Sequence, residues 1–203
     1  NQTPSSHDAS ESPTSTTYTL PETSPASARH AECPDCHNAH ATNAATAARP
    51  KGSGKIGGVW GMDINNTLRM PTGSPVSVNE YEICFKCHAD NTPDLDYVPR
   101  VLTVTNTRLA FDPSNPSYHP VINMGKNMNI PSIPSQFEPS MSPSAVIYCT
   151  TCHADDEGGS RGPHGSSFAP ILKERYETAD NTPESYDNYA LCYRCHNRAS
   201  ILS

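Results

Sequence analysis

The chain has no apolar run of about 18 residues or more, so no segment of it reads as a membrane-spanning helix. Apolar residues make up only 34 % of its 203 positions, low for a domain with an ordinary packed core. Basic residues are few and scattered: 14 Lys and Arg against 21 Asp and Glu give a formal charge of −7. Nucleic-acid binding, which needs a basic patch, is thereby disfavoured. No signal peptide is visible at the start. Proline is plentiful, at 20 residues, and argues against long helices or wide sheets. A chain this polar cannot bury enough of its own apolar surface to offset the entropy of ordering. Something other than side chains has to supply a core.

No cysteine stands outside a pattern. All eight fall in four Cys-x-x-Cys-His runs: Cys33-Pro-Asp-Cys36-His37, Cys84-Phe-Lys-Cys87-His88, Cys149-Thr-Thr-Cys152-His153 and Cys192-Tyr-Arg-Cys195-His196. This is the attachment signature of c-type haem. Two thiols form thioethers to the porphyrin vinyls, the two-residue gap turns both sulfurs to one macrocycle edge, and the adjacent His binds iron. Two zinc sites would also use eight cysteines, but they leave a histidine at the same offset in all four runs unexplained. A disulfide framework leaves it unexplained too. The sequence therefore predicts four haem c groups. It further predicts a fold that is mostly coil, with short helices, few short strands and the haems as core. The chain without haem is expected to be unfolded, as small metal-dependent domains are without metal. Covalent haem is attached outside the cytoplasm, so export is expected, with Asn1 the start of a processed product.

Two regions are expected. Residues 1–29 are a Ser/Thr/Pro-rich arm, 17 of its 29 positions being those three residues; it reads as a flexible tail or a glycosylated stalk. Asn1-Gln2-Thr3 and Asn65-Asn66-Thr67 fit the N-glycan acceptor pattern. Residues 30–203 are the tetrahaem domain. Within it, Tyr81–His88 parallels Tyr189–His196, and Ala-Asp-Asn-Thr-Pro occurs at Ala89–Pro93 and again at Ala179–Pro183. Duplication of a two-haem unit and the shared demands of attachment both account for this. Ser77 with Glu80 fits a capping box before the second run. Thr182-Pro183 fits a helix start before the fourth. Val101–Thr105 and Ala145–Tyr148 are β-like, and roughly 112–143 is a proline-rich loop.

A haem iron has two axial positions. The runs supply the proximal ligands His37, His88, His153 and His196. Four distal positions then face His7, His30, His40, His119 and His164. His30, His40, His119 and His164 are the distal candidates; His7, inside the arm, reads as an unbound tail histidine. If the stretch after His37 is helical, His40 lies on the same face and must bind a different haem. Pro120 and Pro163 stiffen the chain beside His119 and His164. Met62, Met70, Met124, Met128 and Met141 are alternative ligands, expected instead to pack against haem faces. Irons closed by two histidines exchange electrons but offer no open position for substrate. The chain thus reads as an electron carrier with no catalytic residues. A haem oxidoreductase would need one distal histidine to be a non-ligand.

Several strings resemble the extracellular multihaem cytochromes of metal-reducing bacteria. They are Arg29-His30-Ala-Glu-Cys33-Pro-Asp-Cys36-His37-Asn-Ala-His40, Gly58-Val59-Trp60-Gly61, Tyr118-His119-Pro120-Val121 and Gly162-Pro163-His164-Gly165-Ser166. The four-haem size resembles the OmcE-type tetrahaem cytochromes, whose subunits polymerise into filaments. The resemblance covers most of 30–203 and leaves the arm out. It implies bis-histidine irons, haems in alternating stacked and T-shaped pairs, and one axial histidine donated by a neighbouring subunit, a role that falls by motif position on His40. It implies identical subunits in a helical filament at the cell surface or outside the cell, and redox proteins or acceptors such as metal oxides as partners. A discrete periplasmic tetrahaem carrier is the alternative.

Overall fold

Each cysteine run begins or ends a turn of helix, and these turns are the skeleton of the fold. A computed structural model describes residues 7, 31, 33–73, 78–89, 106–133, 142–158 and 162–203. Among them, α1 is Cys33–Cys36, α2 Glu80–His88, α3 Cys149–Cys152, α4 Ala190–Tyr193 and α5 Arg198–Ile201. Strands β1 (Gly61–Met62) and β2 (Leu68–Arg69) form one antiparallel hairpin. The turns Gly54–Ile56 and Thr107–Phe111 are 3₁₀. The rest of the described residues are irregular, in keeping with the proline content, and no helix among them is long and apolar enough to cross a membrane. The β-like Ala145–Tyr148 is extended without joining a sheet; Val101–Thr105 lies outside the described residues.

The chain separates into two compact units, one spanning His7–Asp112 and one Pro113–Ser203. The division falls inside 30–203 and gives each unit two cysteine runs. It also groups His7 with the first unit rather than leaving it in a separate arm.

In the first unit α2 is capped by Asn79, two residues beyond the expected cap; Ser77 lies outside the described residues. The Asn79 amide donates to Glu82 Oε2 at 3.0 Å and its side-chain Nδ2 to Glu82 Oε1 at 3.0 Å. Asn is among the best N-cap residues, and Glu82, three residues on, completes the box. The helix buries Tyr81, Ile83 and Phe85, and Ile83 joins Val59 and Val78 in a small cluster with Cys36 and Ile56 against it. β1 lies so close to α2 that a Cβ at Gly61 would come within 2.6 Å of Glu82 Cβ. The hairpin turn is organised by Asp63, 3 % exposed, which accepts from the amides of Asn65 (2.8 Å) and Thr67 (2.9 Å) and pairs with Arg69. Burial alone would raise the Asp63 carboxyl; the two amides and the guanidinium outweigh it and hold it below the usual range.

In the second unit the buried apolar residues are Val121, Ile147, Ala154, Leu172 and Tyr193. The Ile147 amide donates to Pro120 O at 2.8 Å. Ser166, fully buried, donates to Leu172 O and accepts from the Phe168 amide, closing a loop over 166–172. Thr182-Pro183 does not start a helix. Thr182 donates through both its amide and its hydroxyl to Ala179 O, making a turn, and α4 starts only at Ala190. The buried apolar side chains of each unit are few, and several line the cysteine runs.

Candidate haem centres

The four runs share one local geometry. The His37, His153 and His196 amides donate to the carbonyls of Cys33, Cys149 and Cys192 at 2.8, 2.9 and 3.0 Å. The whole second run lies within α2. An i to i+4 turn sets the first Cys and the His on one face, with the second Cys beside them. That is the placement two thioethers and one axial ring require.

Three attachment histidines are oriented by atoms far along the chain. His37 Nδ1 lies 3.0 Å from Lys55 O, His153 Nδ1 3.0 Å from Pro170 O, and His196 Nδ1 3.0 Å from Ser132 Oγ. A carbonyl only accepts, so Nδ1 of His37 and His153 donates, and Nε2 is the ring nitrogen left to face a metal. An imidazole oriented in this way is suited to present Nε2 to a metal. Ser132 is itself fixed, its carbonyl accepting from the Asn197 amide at 2.6 Å. Beside Pro170, Ile171 holds φ +56°, a conformation strained for a β-branched residue. Lys55 and Pro170 leave no residue-type signal in the sequence because they act through backbone carbonyls, and Ser132 is one serine among many, 64 residues from His196.

The runs are joined in pairs, and in the same way in each unit. Lys86, the second spacer residue of the second run, donates to the carbonyl of Asp35, the second spacer of the first, and stands 4.7 Å over the Trp60 ring. Arg194, the second spacer of the fourth run, donates to the carbonyl of Thr151, the second spacer of the third, at 2.7 Å. The first spacers of the second and fourth runs are the buried aromatics Phe85 and Tyr193, packed on Tyr81 at 5.4 Å and Tyr186 at 5.5 Å.

None of the eight cysteines forms a disulfide. Burial, helped by the thiols of the paired run, pushes Cys36 and Cys87 up to about 11 and also raises Cys152. Thiols so raised stay protonated and are poor nucleophiles. Among the described residues no three His, Cys, Asp or Glu side chains converge on a metal position; a haem iron asks for two protein ligands, one on each face. The donor set fits that group: paired thiols on a helical face and a histidine in register.

Of the distal candidates, His119 lies near His196. Burial first, and then His119, lower the His196 ring below its ordinary value, which keeps it in the neutral form a metal needs. An open pocket of about 340 Å³ lies against His196, walled by Tyr186, Tyr193, Arg198 and Leu202. His164 is exposed, and its ring lies so near the chain that a Cβ at Gly162 would sit 2.5 Å from its Cε1 and displace it. His40 is exposed but not helical with His37. Asn38 accepts the His40 amide on its side chain and the Ala41 and Thr42 amides on its carbonyl, so a turn follows α1. The same-face argument for His40 loses its premise. His30 lies outside the described residues. His7, read as a tail histidine, has its ring centroid 6.2 Å from that of His88. Met70, Met124 and Met128 are exposed; Met141 lies outside the described residues.

Comparison with known protein families, curated proteins and solved structures found no match.

Proposed function

We propose that this chain transfers electrons through four covalently attached, bis-histidine haem c groups. The observation that carries the proposal is the paired arrangement of four Cys-x-x-Cys-His turns, with His37 and His153 oriented through Nδ1 by backbone carbonyls. Bound haem supplies the one-electron chemistry. The chain's residues do the rest. Cys33, Cys36, Cys84, Cys87, Cys149, Cys152, Cys192 and Cys195 anchor the groups, and His37, His88, His153 and His196 each present one axial nitrogen. Lys86 and Arg194 fix the two runs of a pair against each other, so spacing within a pair does not depend on flexible loops. The resemblance supports placing the protein outside the cell, as the subunit of a polymeric filament that hands electrons to redox proteins or to acceptors such as metal oxides.

Haem is tested first by intact mass and by haem staining after denaturation. The expected result is a mass increment of four haems, and three in a protein carrying both Cys84→Ala and Cys87→Ala. A mass equal to the bare chain, or zinc in metal analysis, overturns the reading. Electron microscopy of the native protein then separates a filament from discrete particles, which would make the protein a freely diffusing carrier. A high-spin iron in the oxidised wild type would point instead to an enzyme with one open haem.

A further inference from the structure

We infer that His7 is the distal ligand of the iron held by the Cys84–His88 run. The inference rests on the haem reading above and adds to it a residue from the low-complexity arm. The His7 and His88 centroids are 6.2 Å apart and their planes 56° to each other. Two histidines on opposite faces of one metal have metal–nitrogen bonds of about 2 Å, with each nitrogen about 1 Å from its ring centre, so their centroids fall about 6 Å apart. Both axial rings contain the bond axis, so any angle between their planes is compatible. A direct ring contact spans a similar range, about 4.5–7 Å, but both rings here are exposed, and two exposed imidazoles gain little from each other in water. A shared metal gives a reason for a histidine at position 7 to meet one at position 88. His30, His40, His119 and His164 then face three remaining distal positions, and one of the four is not an iron ligand of the single chain.

The test uses the purified haem-loaded protein. The wild type is expected to show four haems, all low-spin. In His7→Ala one iron of the four is expected to turn high-spin when oxidised and to bind carbon monoxide when reduced, and added imidazole to restore the low-spin spectrum. His7→Met, which offers a thioether at the same place, is expected to stay six-coordinate with one haem raised in potential. In the protein lacking Cys84 and Cys87, and so the second haem, His7→Ala is expected to change no remaining iron. Unchanged spectra and potentials in either His7 variant of a four-haem protein overturn the inference. A high-spin iron in the triple variant overturns it too, because His7 would then serve another haem. A wild type without covalent haem overturns the haem reading itself, which the haem count shows before any variant is made.

Discussion

Glu184 ties the fourth run to the chain that follows it. Its Oε1 accepts from Tyr193 at 2.8 Å and from Arg198 Nε at 2.8 Å, and its Oε2 accepts from Arg198 Nη2 at 2.5 Å. The Arg198 fork and then the Tyr193 hydroxyl hold the carboxyl down, to about 2. A carboxylate whose folded value is depressed contributes stability that is present above its unfolded value. That contribution is lost as pH falls through the folded value. The window therefore runs from the ordinary carboxylate range down to about 2. Glu184→Gln is expected to make the second unit less stable at neutral pH and less sensitive to acid across that window. Acid titrations of wild type and variant, followed by circular dichroism, check this; parallel curves would show that the cluster does not couple to folding. Nothing in the residue pattern marks this carboxylate, whose partners lie nine and fourteen residues on, in α4 and α5. The cysteine runs and their histidines were legible because attachment chemistry fixes residue type and spacing together. The Lys55, Pro170 and Ser132 anchors were not, because the first two act through carbonyls that any residue supplies.

At the scale of elements, the spacer cations are what couple run to run. The sequence shows Lys86 and Arg194 at equivalent places but not what they bind, since their acceptors are again backbone carbonyls, 51 and 43 residues away. A hydrogen bond from a charged donor is worth about 1.5–3 kcal/mol, and partial exposure reduces that toward about 1 kcal/mol. Lys86 adds a contact over Trp60 worth about 0.5–1 kcal/mol. Lys86→Met is therefore expected to lower the melting temperature of the first unit by several degrees, on the order of 5 °C. Arg194→Met is expected to do somewhat less to the second unit. Lys86→Arg is expected to recover most of the loss. Differential scanning calorimetry of the haem-loaded proteins checks it, and equal melting of Lys86→Met and wild type would show that the clasp contributes nothing. The α2 cap was half legible: residue types marked a box at Ser77 with Glu80, and the box lies two residues on, at Asn79 with Glu82, Asn being as good a cap as Ser.

For the whole molecule, the two units repeat one plan. In each, the earlier run carries a histidine whose Nδ1 meets a carbonyl 18 or 17 residues on, and the later run carries an aromatic and then a basic spacer. In each, the basic spacer binds the earlier run's second spacer. Haem attachment alone requires none of these, so duplication of a two-run unit accounts for the internal likeness better than shared chemistry does. The plan also explains the composition. The buried apolar residues include Val59, Val78, Ile83 and Phe85 in the first unit and Val121, Ile147, Leu172 and Tyr193 in the second. So short a set, spread over loops rich in proline, does not offset the entropy of ordering a chain of this length. On the proposed reading, haem completes the core around the cysteine turns, as metals do in small metal-dependent domains. A chain with all eight cysteines changed to Ala is expected to show the far-ultraviolet spectrum of an unfolded chain, no cooperative thermal transition and rapid proteolysis. The haem-loaded wild type, under the same conditions, is expected to melt cooperatively and resist protease. A cooperative transition in the cysteine-free chain would mean that the side chains suffice and that the four runs decorate a fold they do not build.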